Sequence, residues 1–151
     1  MSLLVPHEGE LQLLTDLLGQ GSREDWQLGL FNSNITPSEF DAAATYTAHE
    51  ATFTNYARKT LTRSIGASTW NTPVSQAPSG SPAWSSRSQV GHSQYGSSAQ
   101  SWTCGATGDT VYGYFVIGAS SGKLICAEAF STPRTLASGD TIQVQPVFEN
   151  A

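Results

Sequence analysis

Charge is what this sequence has least of. Only 13% of its 151 residues are Asp, Glu, Lys or Arg, against roughly 25% in an average soluble chain. Ser, Thr, Gly, Gln and Asn carry the polarity instead. Such a surface repels neighbours weakly, which suits extended contact with other protein and is equally ordinary for a turn-rich β-protein. Positive charge is the scarcer sign: seven Lys and Arg against twelve Asp and Glu, a net charge of −5. Nucleic-acid binding needs clustered cations, and only Arg58, Lys59 and Arg63 lie close together. Read as a strand, "YARKTLTRS" puts Arg58 on one face and Lys59 and Arg63 on the other. That pattern predicts a solvated strand edge and no nucleic-acid partner.

Cysteine is nearly absent. Cys104 and Cys126 are the only two, too few for a zinc site. Two buried thiols are the expectation, and sequence alone leaves their pairing open. Long hydrophobic runs are missing too. No segment reaches the ~18 apolar residues of a membrane span, so no membrane partner is expected. The N-terminal "MSLLVPHEGELQLLTDLLGQG" lacks a basic leader, and Glu8, Glu10 and Asp16 interrupt it. It does not read as a signal peptide, and the chain is expected to be made and used without secretion.

What is present reads as one domain, with an N-terminal arm or helix over 1–21 and a strand-rich body over 22–151. Within "ELQLLTDLL" (10–18), Leu11, Leu14, Leu17 and Leu18 recur at helical spacing, and Gly19 and Gly21 can end the helix. So short a helix is marginal alone. It must pack on its own sheet or on a partner.

After Gly21 the pattern turns to strands. "WQLGLF" puts Trp26, Leu28 and Leu30 on one face, and an Asn- and Pro-rich turn follows. The region 38–51 is mixed, and "EATFTNYARKTLT" suggests extended chain. Residues 71–101 are rich in Pro, Gly, Ser and Gln and read as a long loop, where Trp84 and Tyr95 stand out as candidate contacts. "SWTCGA", "TVYGYFVIGA", "KLICAEAF" and "TIQVQPVFE" read as four strands. In the last, Ile142, Val144, Pro146 and Phe148 alternate with other residues, and Pro146 marks an edge or a bulge. "VYGYFVI" is apolar on both faces, which predicts a central strand with a close backbone approach at Gly113. The whole predicts an all-β fold, a sandwich or a barrel.

Tests for chemistry come back negative. "GASSGK" (118–123) invites comparison with a phosphate-binding loop, but its glycines are one residue too close. Leu124 stands where a hydroxyl must be, and the segment beyond is too short for the required helix. A hairpin turn explains Gly118 and Gly122, leaving Lys123 an exposed turn residue. His7, His49 and His92 form no metal pattern. His49 and Glu50, adjacent on a strand, would point apart. There is no nucleophile elbow. "NIT" (34–36) matches a glycosylation sequon that a chain without a leader would rarely present. No catalytic residue, metal site, cofactor or small-molecule substrate is expected.

Two stretches carry a resemblance. One is "LGLFNSNITPSEFDAAATYTAHEATFTNYARKTLT" (28–62); the other is "VYGYFVIGASSGKLICAEAFSTPRTLASGDTIQVQPVF" (111–148). Their ordered motifs are "FNSNITP", F-x-x-Y-A-R-K-x-L, "VYGYFV", "AEAF" and SGD-x-I-x-V-x-P-x-F. This order resembles small structural proteins of tailed bacteriophages, head decoration or cement proteins in particular, over about half of the chain. The resemblance implies a jelly-roll-like antiparallel β-sandwich, commonly a homotrimer. It implies a major capsid protein as partner and a place on the virion's capsid surface after assembly in the host bacterial cytoplasm. The arm and residues 71–101 lie outside the matched pattern. On their residue types, Leu11, Leu14, Leu18, Trp84 and Tyr95 are the expected interface. The alternative is a tail or spike module that binds receptor or carbohydrate, stacking sugars on Trp84, Trp70 or Tyr95.

Overall fold

A computed structural model describes residues 4–19, 23–66, 68–76 and 90–150. The regular structure of the described residues is mostly strand, in antiparallel sheets, with two helices, as in an all-β fold. Helix α1 (His7–Leu17) leads into β1 (Trp26–Phe31), and α2 (Ala43–Thr47) into β2 (Lys59–Leu61). Strands β3 (Val74–Gln76), β4 (Val90–Gln94), β5 (Gln100–Thr103) and β6 (Asp109–Gly118) follow. The chain continues through β7 (Leu124–Leu136), β8 (Thr141–Val144) and β9 (Val147–Asn150). The sheets run β2-β1-β6-β7, β3-β4-β9 and β5-β8.

The four-stranded sheet is apolar on both faces because its inner strands are. Leu28, Leu30, Val111 and Val116 face the larger core, which also takes Trp102, Ile142 and Val144 from the β5-β8 pair. Phe31, Phe115, Ile117, Leu124 and Ala127 face a smaller core closed by Tyr46 of α2. Two glycines make the central pairing possible. Gly29 lies opposite Phe115, and Gly113 opposite Phe31. Each phenyl ring covers the glycine across from it, where a Cβ would collide with the ring. At Gly113 a Cβ would also overlap the Glu128 carbonyl oxygen of β7. This is the close approach expected of a central strand.

Several boundaries differ from those the sequence predicts. Helix α1 begins three residues early, behind Pro6, whose backbone is extended at the cap, and Gly19 ends it with φ +68°. The 71–101 segment is not one long loop: it holds β3, β4 and the start of β5. Their Ser, Gln and Gly residues hide strands held by backbone pairing to β9 and β8. "TIQVQPVFE" splits at Gln145 and Pro146, with β8 pairing to β5 and β9 to β4. Pro146 brings no N–H, and its carbonyl accepts the Tyr95 N–H at 3.0 Å. Of "EATFTNYARKTLT" only Lys59–Leu61 is strand; the rest bends through Asn55 at φ +74°. Strand β7 runs past "KLICAEAF", with a register shift that leaves residues 130–133 facing Tyr112 alone.

Candidate interaction surface

Helix α1 lies against β7 by its polar and small residues. Glu8 reaches under the helix, and its Oε2 accepts the backbone N–H of Leu124 at 2.8 Å and of Ala43 at 3.2 Å. Its Oε1 pairs with Lys123 Nζ at 3.2 Å. Burial raises this carboxyl's pKa, but the bonds from Leu124, Lys123 and Ala43 together outweigh burial and hold it below the ordinary value. Gly9 is buried so tightly that a Cβ would overlap the Ile125 carbonyl oxygen. Asp16, at the other end, is paired to Arg63. Leu4 exchanges backbone hydrogen bonds with Ala127 at 3.1 Å, and Val5 and Leu13 pack on the large core.

Residues 9, 13 and 16 thus face inward, and the helical repeat turns 11, 14 and 18 outward. Leu11 is 67% exposed, Leu14 51%, Leu17 81% and Leu18 64%. Phe40, 77% exposed, sits at the N-terminal end of the helix, edge-on to His7 at 5.7 Å between rings. The helix therefore shows solvent its apolar stripe, the reverse of a surface helix that covers its own core. Scattered exposed apolar residues are ordinary, but a contiguous stripe of large ones marks a contact surface.

The predicted interface residues separate. Leu11, Leu14 and Leu18 share the exposed face. Trp84 lies outside the described residues. Tyr95 is corrected from contact to core: it is 6% exposed, packed edge-on to Trp70 at 5.2 Å. Its hydroxyl accepts the Thr62 N–H at 3.1 Å. Trp70 is buried as well, so neither ring offers a free face to a sugar. Phe40 was missed in the sequence, because a lone Phe in a mixed polar stretch has no periodicity to betray it.

Groups that looked chemically available are engaged in holding the fold. Glu50 accepts hydrogen bonds from Tyr56 Oη at 2.6 Å and from both Nε and Nη2 of Arg58, at 2.8 and 2.6 Å. Burial raises the Glu50 pKa, and the Arg58 and Tyr56 bonds bring it below the ordinary value. Tyr56 Oη in turn accepts the Leu30 N–H at 3.0 Å. The F-x-x-Y-A-R-K-x-L motif is thus a brace: Phe53 and Leu61 fill the core while Tyr56 and Arg58 lock the loop to β1. The three clustered cations all have partners. Arg58 pairs with Glu50, Lys59 lies over Trp102 and Arg63 lies over Trp26.

The "GASSGK" turn does bind an anion, and the anion belongs to the chain. Glu24 Oε2 accepts the Ser120 and Ser121 N–H groups at 2.6 and 2.8 Å, and Oε1 accepts the Ser121 hydroxyl at 2.6 Å. Lys123 is turned to Glu8 rather than left free. Cys104 and Cys126 are buried and unpaired. Among the described residues no group of three His, Cys, Asp or Glu is placed to hold a metal ion, and no helix is long and apolar enough to cross a membrane. Compared with protein-family models, curated proteins and solved structures, the chain matches none.

Proposed function

We propose that this chain is a non-enzymatic structural protein of a tailed-phage virion. It decorates the head and stabilises the major capsid protein lattice, docking through the leucine face of α1. The observation that carries this reading is the inverted helix: Leu11, Leu14 and Leu18 point outward while Glu8, Gly9 and Asp16 fix the backbone from behind. A helix pinned on its polar side presents its apolar side ready formed, so docking costs little ordering entropy. The ordered phage-like motifs supply the identity of the partner. Their residues brace and pack the fold, as expected of a scaffold whose work is done at its surface. A jelly-roll-like sandwich is the architecture we propose, supported by a core shared between the four-stranded sheet and the β5-β8 pair. A homotrimer would multiply the weak contacts of each helix by avidity and match a lattice three-fold axis.

The test is co-sedimentation of the purified protein with empty heads from a phage deleted for it. Each leucine buried on docking is worth about 1–2 kcal/mol. The double variant Leu11→Ser, Leu14→Ser should therefore bind roughly 30-fold weaker or less tightly still, while its urea midpoint stays that of the wild type. Unchanged pelleting of the double variant would refute the docking face. Virion density confined to the tail in cryo-EM would refute the head assignment.

A further inference from the structure

The exposed face of α1 has a finer pattern than an apolar patch. His7, Leu11, Leu14 and Leu18 follow one another at intervals of four, three and four residues, the spacing of a seam that receives another helix. On an α-helix they fall within about 60° of one another. Gly9 and Asp16 lie on the opposite side, the first packed on the Ile125 carbonyl and the second paired to Arg63. The body of the protein is therefore directly behind the seam, and the seam faces away from it.

Read from its other end, the seam is again four, three, four. It is its own complement in an antiparallel pair: His7 meets Leu18 of a second copy, Leu11 meets Leu14, and a two-fold axis repeats both contacts. Phe40, edge-on to His7, widens the apolar surface at the end where Leu18 of the second copy arrives. Charge does not oppose this pairing. Helix α1 carries no Lys or Arg, and its exposed acid, Glu10, is hydrogen-bonded to His7 at 3.0 Å. In the antiparallel pair Glu10 lies beside Leu17 of the second copy. A parallel pair would instead bring two acidic first turns together and align the helix dipoles unfavourably. The four exposed leucines and Phe40 present on the order of 600 Å², as large as the biggest apolar patch of an ordinary monomer. Two such faces in contact bury on the order of 1,200 Å², the low end of specific interfaces and far from an obligate one. A pair of that size is reversible.

We infer that α1 pairs with α1 of a second copy, antiparallel about a two-fold axis, while the chain is free in solution; this rests on the same exposed face proposed above for docking. The pair shields the stripe from water until a docking surface displaces the second copy. Sedimentation equilibrium of the free protein at high micromolar concentration should give twice the mass found for Leu11→Ser, Leu14→Ser, whose circular dichroism stays that of the wild type. Orientation is read by disulfide trapping with His7→Cys and Leu18→Cys. Mixed, the two variants should cross-link. Alone, each would hold its two thiols about 16 Å apart, too far to bond, and should not. Cys104 and Cys126 are buried and do not compete. Equal mass for wild type and double variant would overturn the pairing. So would disulfides within either single variant, or a doubled mass without the mixed disulfide. Binding to empty heads is measured separately: heads bound without any pairing in solution would sink the pair alone, and pairing without head binding would sink the docking alone.

Discussion

Removal of the Glu8 carboxylate tests whether α1 is held from behind as described. Its Oε2 satisfies two backbone donors. The Leu124 N–H belongs to a fully buried residue, so in Glu8→Ala it loses its acceptor where water cannot easily replace it. An unmet buried donor costs about 1–3 kcal/mol. The Ala43 N–H, at a half-buried site by α2, is more easily rehydrated and adds about 0.5 kcal/mol. The Lys123 pair, with its lysine half exposed, is worth no more than about 0.5 kcal/mol. Glu8→Ala should therefore lose about 1.5–4 kcal/mol in urea unfolding, and Lys123→Ala under about 0.5 kcal/mol. Amide exchange should localise the effect, with protection falling across residues 7–17 in Glu8→Ala well before it falls in β6. If Lys123→Ala costs as much as Glu8→Ala, an ion pair holds the helix instead. If neither loses stability or protection, the anchoring argument is wrong, and with it the claim that the leucine face is pre-formed.

Acid should unfold the protein through its engaged carboxylates. Glu8, Glu24, Glu50 and Asp109 all have folded-state pKa values below their ordinary 4.5 or 3.8. A depressed pKa contributes stability above the unfolded value that is lost as pH falls through the folded one. Urea midpoints should therefore hold steady above about pH 5 and fall steeply below about pH 4; a flat profile down to pH 3 would refute this. Gly113→Ala forces a methyl group into the Glu128 carbonyl and the Phe31 ring and should cost about 3 kcal/mol or prevent folding. Gly122→Ala, with open space around it at φ +65°, should cost only about 1 kcal/mol; equal losses by thermal melt would contradict the packing. Tyr95→Phe removes the acceptor of the Thr62 N–H and should lose about 1–2 kcal/mol with no change in head binding.

What the sequence revealed was whatever apolar periodicity could carry. Strand β6 is apolar on both faces, and it is indeed central, between β1 and β7. The Gly113 approach could be read because a glycine in an apolar strand has few other reasons to be there. Strands β3 and β4 stayed hidden in polar sequence, because their pairing is a backbone property that Ser, His and Gly do not advertise. Glu24 and Glu50 were unreadable for a related reason. Their carboxylates accept from N–H groups, two hydroxyls and a guanidinium, brought up from as far as 97 residues away. Rejecting the phosphate loop by its spacing was sound, yet the turn's donors are anion-binding all the same and are filled from within.

The helix shows where periodicity falls short. Spacing identified the leucine stripe, but spacing is silent on which way the stripe faces. The opposite face decides that. On it Gly9 is the one residue that fits against the Ile125 carbonyl, and Glu8 is the carboxylate that meets the Leu124 N–H. Rotating α1 by half a turn to bury the leucines would place Leu11 or Leu14 where only a glycine fits. It would also strip Glu8 of two backbone donors and Asp16 of Arg63. The burial of two or three leucines, at roughly 1.5–3 kcal/mol each, is thus set against steric overlap with β7 and unmet buried polar groups. Within the isolated chain the second set wins. The leucine surface left in water is recovered only when another surface covers it, and that makes α1 the element by which this protein is expected to find its place.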